Sequence, residues 1–440
     1  MISIGKPYTF EKGDTAFLKA SINISGDTVT AWMDAKKKLR KAHWRFYEDY
    51  PPKAWQDADS GLFFSAPKEY GEFLTAERSD AFVVAMLYMA LMTGSDIEFQ
   101  TPVSERMAFG ISQLLIPAIC KEEYKQIRLI GPTTNKPLAT EGAVATGMSC
   151  GVDSLYTLKK YTSPEVQTNY RLTHLTYYNM GAIFHPNRAN KKQYSIDEFY
   201  SITDRMSLEK LDNAAQVADM HGLPLVYVAS NLDRDYYRGG YGYTGVYRNC
   251  ALTLALQGLF GKYYCSSAGS QAFHITLTEG SEYYETLLSD AFSTESLQFI
   301  VSDFTFRPEK TLELADYDTA QKFLDVCFCF NNCGECAKCK RTLVTLDLLG
   351  KVDLFSSVFD IEKYKSNRID SYVWLLEAKD AAGIDDDGLH AGLIYEFAVS
   401  QGLEIPSEAI VRYKKRKFKK KIRSIGKKGK VFLNKARNSN

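Results

Sequence analysis

Five of the nine cysteines stand at positions 327, 329, 333, 336 and 339. The run Cys333-Gly334-Glu335-Cys336-Ala337-Lys338-Cys339 spaces three thiols three residues apart, so a knuckle followed by one helical turn aims all three at one tetrahedral ion. Zn2+ is the favoured metal. A fourth ligand is expected just upstream, where Cys327 and Cys329 alternate with Phe328 and Phe330 and so share one side of a strand. Four thiolates on a divalent ion leave a net charge of about −2, which Lys338, Lys340 and Arg341 offset. A closed site of this kind has no open position for water, so its expected role is structural. An iron–sulfur cluster and free buried thiols are the competing readings.

A second constellation is Gly147-Met148-Ser149-Cys150-Gly151-Val152-Asp153-Ser154. It follows the strand-like Ala143-Val144-Ala145-Thr146 and opens a helix whose apolar positions Val152, Leu155 and Leu158 recur at helical spacing. Small residues there let backbone N–H groups approach a phosphate, Ser149 and Ser154 add hydroxyl donors, and the helix dipole favours negative charge. Asp153 would repel a phosphate unless Mg2+ lay between them. No Walker A pattern occurs, which argues against an ordinary P-loop NTPase. The same residues also satisfy the Gly147-x-Ser149-x-Gly151 elbow of serine hydrolases, which would need an acid and a later His, with His221, His274 and His390 available. A glycine-rich stretch from Gly240 to Gly245 formally matches a dinucleotide fingerprint, but it lies beyond the end of its strand and no acidic residue follows at the required distance. It is read as a mobile loop before a helix starting near Tyr247, of the kind that closes over substrate.

The sequence Ser149-Cys150-Gly151-Val152-Asp153-Ser154 resembles the Ser-Gly-Gly-x-Asp-Ser loop of the PP-loop ATP pyrophosphatases, with Cys150 where that family usually has Gly. Arg248-Asn249 resembles the pair that opens the corresponding helix in the 7-cyano-7-deazaguanine synthases, a branch of the same superfamily. These proteins carry a late four-cysteine zinc site, and its last three ligands match Cys333, Cys336 and Cys339, with Cys327 assigned as the first. The resemblance covers about residues 141 to 350. It implies an AMP-forming, ATP-dependent ligase. A carboxylate or carbonyl oxygen of the substrate attacks the α-phosphorus of ATP, pyrophosphate leaves, and ammonia or sulfur displaces AMP. Ser149 to Ser154 would hold the nucleotide, and Ser149, Asp153, Arg248 and Lys310 would be catalytic, with Arg307 a further candidate cation. The cofactors implied are ATP, Mg2+ and Zn2+. A thiol at a helix N-terminus has a lowered pKa, so Cys150 as a sulfur carrier in a tRNA-thiolating enzyme is one alternative. The serine hydrolase is another, and a non-catalytic nucleotide-binding or membrane-docked module is a third.

The elements that must position these residues read as α/β. From about 141, short apolar strands alternate with helices, the pattern of a Rossmann-like doubly wound parallel sheet with ligands at the strands' carboxyl ends. Residues 1–140 read as an α+β domain with alternating stretches at 21–33 and 60–66, an all-apolar helix capped by Ser79 or Asp80 and stopped at Gly94, and aromatics at 44–55 that could line a cleft. Residues 141–350 form the nucleotide domain with the zinc site at 327–339, 351–410 a helical region, and 411–440 a basic tail. Of 54 Lys and Arg residues, 14 lie in that tail with no Asp or Glu, which leaves 40 against 53 acidic residues in the remainder. Such a block attracts RNA or an anionic membrane face, or folds back on the acidic body. The longest apolar run, Ala81 to Met92, is too short for the ~20 residues that span a bilayer. The first residues lack a secretory signal, so a cytoplasmic location is expected. Expected partners are a small-molecule carboxylate, nucleobase or nucleotide-sugar substrate, an ammonia or sulfur donor protein, and a second copy as a homodimer.

Overall fold

The chain is described by a computed structural model over residues 1–41, 61–120, 124–182, 196–267, 281–327, 331–380 and 386–437. It divides into two units, Met1–Arg307 and Pro308–Asn440. In the first unit the strands are β1 (Ile2–Ile4), β2 (Tyr8–Lys12), β3 (Thr15–Ala20), β4 (Ile22–Ile24), β5 (Leu62–Pro67), β6 (Ile97–Phe99), β7 (Val103–Ser104), β8 (Leu129–Ile130) and β9 (Thr133–Thr134). They continue with β10 (Ala143–Gly147), β11 (His174–Asn179), β12 (Leu225–Ser230), β13 (Phe260–Cys265) and β14 (Gln298–Val301).

Eight of these strands form the main sheet, in the order β14-β13-β10-β11-β12-β5-β3-β2. The five from β10 onward pair in parallel, whereas β12–β5, β5–β3 and β3–β2 are antiparallel. The sheet is therefore mixed. Ala143 to Thr146 are all buried, as a central strand covered on both faces requires. After β10 the chain adds β11 and β12 on one side, then returns to add β13 and β14 on the other. The carboxyl end of β10 is thus the point where the strand order reverses, and side chains leaving it face a crevice rather than a neighbouring connection. The expected boundary near 140 falls inside this unit, because strands from both sides of it share the sheet.

Helix α1 (Gly26–Lys41) begins directly after β4, so the alternating pattern read over 21–33 is strand only as far as Ile24. The fully buried Trp32 belongs to the helix. Helix α2 (Asp80–Thr93) is buried on nearly every side, which is why its apolar residues show no periodicity. It starts after Ser79 and stops at Gly94, which takes the left-handed conformation at φ 72° and donates its N–H to the Ala90 carbonyl at 2.8 Å. Helix α3 (Val152–Tyr161) follows β10, α4 (Ile196–His221) precedes β12, and α5 (Tyr241–Ala255) precedes β13. Tyr88 of α2 packs edge-on against Tyr247 of α5, ring centroids 5.6 Å apart. The start of α5 at Tyr241 corrects the reading of 240–245 as a mobile loop: Gly240 caps the helix at φ 69°, and Tyr243, Thr244 and Gly245 are buried within it. The aromatics of 44–55 lie outside the described residues.

The second unit is helical, with α6 (Arg307–Ala315) leading into it, α7 (Ala337–Leu348), α8 (Arg368–Lys379), α9 (Asp386–Ser400) and α10 (Ser407–Arg437). Its apolar core joins Val344 and Leu348 to Tyr372, Leu375, Ala391 and Ile394. The basic tail is helical, and part of it folds onto acidic residues: Arg416 reaches Asp370 at 2.7 Å, Lys417 reaches Asp380 at 2.5 Å and Lys420 reaches Glu377 at 3.1 Å. Among the described residues no helix is long and apolar enough to cross a membrane.

Candidate functional site

The main sheet delivers a polar cluster at the carboxyl ends of β10, β13 and β14. Past Gly147 the chain turns sharply, and Cys150 is buried in the left-handed conformation at φ 57°. This region normally favours glycine, and a side chain there costs roughly 1–2 kcal/mol. The turn lets Gly151 cap α3, with the Leu155 N–H donating to the Gly151 carbonyl at 3.0 Å. Ser149 Oγ lies 3.3 Å from Ser154 Oγ and accepts from the Gly151 N–H at 3.4 Å, while Ser154 Oγ donates to the Gly151 carbonyl at 3.1 Å. Two hydroxyls and the first turn of α3 therefore share one small volume. The N–H groups of that turn have no intrahelical acceptors and carry the positive end of the helix dipole.

Asp153, in the same turn, receives Arg307 Nη2 at 2.5 Å, and both side chains are largely withdrawn from solvent. Sequence reasoning left Arg307 as one cation among several; the structure pairs it with the carboxylate singled out for metal binding.

The exit of β14 adds residues that sequence reasoning missed. Ser302 Oγ donates to Asp303 Oδ2 at 2.8 Å, and the Thr305 N–H donates to Asp303 Oδ1 at 2.9 Å. Thr157 of α3 reaches Ser302 Oγ at 3.2 Å, Lys160 Nζ donates to the Ser302 carbonyl at 3.2 Å, and Tyr161 donates to the same carbonyl. Burial, reinforced by the nearby Asp303 charge, pushes the Tyr161 phenol up to about 12. Ser266, just past β13, lies 3.1 Å from Thr146 Oγ1, and the Ser267 N–H donates to Ser302 Oγ at 3.4 Å. The only available signal for these residues was Ser302-Asp303 at the end of an apolar strand.

Arg248 lies in the middle of α5, two turns past its start, which corrects the expectation that it opens that helix. It is fully buried and pairs with Asp233 at 2.6 Å. The same Nη1 also donates to the Met180 carbonyl at 2.8 Å, Nη2 donates to the Gly239 carbonyl at 2.6 Å, and the guanidinium lies over the Tyr237 ring at 4.9 Å. Asp233 also accepts from Tyr200 Oη at 3.0 Å and from the Gly239 N–H at 3.0 Å. Gly181, at φ 85°, must be glycine, since a Cβ would come 2.3 Å from Asp233 Cγ. These contacts tie the carboxyl ends of β11 and β12 to α5. Lys310 lies one turn beyond Arg307 on α6 and is fully buried.

The serine nucleophile reading also meets this geometry. The strained residue of the turn is Cys150 rather than Ser149. His221 ends α4 just before the amino end of β12, the edge of the sheet opposite to Ser149. His390 belongs to the second unit, and His274 lies outside the described residues.

In the second unit, Cys327, Cys333, Cys336 and Cys339 bring their sulfurs within 4.8 Å of one another. Cys327 and Cys336 are 3.9 Å apart, against about 3.8 Å for two sulfurs on a tetrahedral ion with Zn–S bonds of about 2.3 Å. Backbone N–H groups point at the sulfurs: Cys333 N to Cys327 Sγ at 3.4 Å, Cys336 N to Cys333 Sγ at 3.4 Å and Cys339 N to Cys336 Sγ at 3.5 Å. Gly334 takes φ 73° to turn the knuckle, and Cys336 caps α7. The hydrogen bond with Cys336 pushes the Cys327 thiol up to about 12. The donor set, spacing and N–H···S bonds fit a metal ion such as Zn2+. Cys327 is the fourth member of the cluster, and Cys329 lies outside the described residues.

No family model matches the chain, and neither a curated protein nor a solved structure matches it.

Proposed function

We propose that the chain is an AMP-forming ATP pyrophosphatase of PP-loop type, an ATP-dependent ligase that adenylates a substrate oxygen and then transfers ammonia or sulfur. The observation that carries this reading is the Ser149–Ser154 turn itself: two hydroxyls and a helix N-terminus at the point where a parallel sheet reverses its strand order. There the turn would bind the β- and γ-phosphoryl groups of ATP, leaving the α-phosphorus open. Asp153 would hold the Mg2+ that accompanies the nucleotide, and that ion would neutralise phosphate charge.

In the first step a carboxylate or carbonyl oxygen of the substrate bonds to the α-phosphorus while the bond from that phosphorus to the bridging oxygen breaks, and pyrophosphate takes the electron pair. In the second, the nitrogen or sulfur nucleophile bonds to the activated carbon, loses a proton, and AMP departs. The protein's part is to position and stabilise charge, through Ser149, Ser154 and the α3 N–H groups, with Arg307 as a cation that the Asp153 ion pair holds beside the turn. Arg248 is a positioning residue, since its charge is neutralised by Asp233. The four-cysteine cluster would hold Zn2+ as a structural ion.

A release assay with Mg2+, ATP and panels of carboxylated metabolites, nucleobases, nucleotide sugars and tRNA tests the reading. AMP and pyrophosphate are expected; ADP and phosphate would overturn it. Thiolated tRNA as product would select the sulfur branch, and labelling of Ser149 by a fluorophosphonate would favour a hydrolase.

A further inference from the structure

Helix α10 has two faces of different chemistry. Arg412, Arg416, Lys417 and Lys420 turn toward α8 and its C-terminal end, where they pair with Asp370, Glu377 and Asp380. Ala409, on the same side, is fully buried. At 3.6 residues per turn, Val411, Phe418 and Ile422 fall within about 40° of one another on the opposite side. They are 50%, 65% and 53% exposed, which is unusual for three large apolar side chains along one line. Lys414 flanks this stripe on one side, and Lys415 and Lys419 flank it on the other. All three are exposed and form no ion pair among the described residues.

We propose that this face of α10 docks on an anionic lipid surface, with Val411, Phe418 and Ile422 entering the headgroup boundary and Lys414, Lys415 and Lys419 contacting lipid phosphates. The stripe, from Val411 to Ile422, is about 17 Å long, and an apolar line flanked by lysines is the pattern of helices that lie in the interface plane. Two other occupants fit less well. RNA would use the lysines but gain nothing from three solvent-facing aliphatic and aromatic side chains in a row. A second copy of the chain would set the same lysines against each other. Since the opposite face of the helix is held by ion pairs to its own unit, docking needs no rearrangement of α10. The inference does not depend on the enzymatic reading.

The full chain is tested by co-sedimentation with phosphatidylcholine vesicles, with and without phosphatidylglycerol. Binding to the anionic vesicles alone is expected. The triple variant Lys414→Gln, Lys415→Gln, Lys419→Gln should weaken it roughly a hundredfold, at about fivefold per lysine. The double variant Phe418→Ser, Ile422→Ser should weaken it at least about tenfold with the charge unchanged. Phe418→Trp should bind normally and show a blue-shifted emission on anionic vesicles. Circular dichroism of each variant verifies that the fold is intact. Absence of binding to anionic vesicles, binding that the apolar double variant leaves unchanged, or a tryptophan that stays water-exposed on the vesicle would each overturn the proposal. So would an RNA homopolymer that binds more tightly than the vesicles and ignores the apolar substitutions.

Discussion

Cys150 separates two chemistries by a single atom. A sulfur carrier depends on its thiol, whereas a phosphate-binding turn depends only on the backbone course that φ 57° produces. Cys150→Ser keeps that course and a small polar side chain, so pyrophosphate release is expected to persist at a reduced rate; complete loss of turnover would favour the sulfur carrier. Asp153→Asn removes the carboxylate proposed to hold Mg2+ and breaks its ion pair with Arg307, and a fall of about a hundredfold or more in the same assay is expected. Asp80 provides a check on the core that is independent of catalysis. It is fully buried at the start of α2, accepting from the Ser104 N–H at 2.8 Å and from Gln257 at 2.9 Å. Burial raises its pKa from 3.8 to about 6. The native state therefore binds the proton more tightly than the unfolded chain, so the contribution is present below pH 3.8 and is lost as pH rises through about 6. Wild type should lose on the order of 3 kcal/mol relative to Asp80→Asn across that window, measured by urea unfolding of both proteins at each pH; a constant difference would show that Asp80 ionises freely in the fold.

The four-cysteine knuckle is an element whose folding energy would come from a bound metal ion. Residues 331 to 336 include no aliphatic or aromatic side chain, and four sulfurs within 4.8 Å repel one another once ionised. Chelation should lower the melting temperature by roughly 10 °C, equivalent to about 3 kcal/mol. Cobalt substitution should give the charge-transfer and ligand-field bands of a tetrahedral thiolate site, and acidification should release the metal because protons compete for the sulfurs. Survival of these bands in Cys327→Ala would move the fourth ligand elsewhere. This knuckle was legible in the sequence because its ligands are close in the chain and their spacing is set by one turn and one helix. The strand-turn-helix at 143–161 was legible for the same reason. Helix α5 was not: Gly240, Gly242 and Gly245 read as a loop by propensity, but burial of Tyr243 and Tyr247 against α2 outweighs the cost of glycine in its first turns. Nor was the partner of Arg248, because Asp233 meets it only after β12 and α5 are assembled.

At the scale of the whole chain, the hidden information was in long-range pairing. Strands β2, β3 and β5 precede residue 68, yet they extend the sheet built from β10 to β14. Alternation over a few residues specifies a strand but not the edge it joins, so a boundary drawn near residue 140 from a turn-rich stretch and a change of pattern could not register that continuity. The mixed sheet gives the turn after β10 a wide base, and the four-cysteine cluster lies in a unit with a separate apolar core. Two ligands should therefore protect two different stretches of backbone. Hydrogen exchange resolved by peptide is expected to slow at 148–161 when Mg2+ and ATP are added, because the turn's N–H groups acquire phosphate acceptors. It should quicken at 331–348 when the metal is chelated, because α7 loses its cap at Cys336. Protection by ATP at 231–248 in place of 148–161 would relocate the nucleotide to the buried Arg248 and Asp233 pair, and the turn after β10 would then be only a helix start.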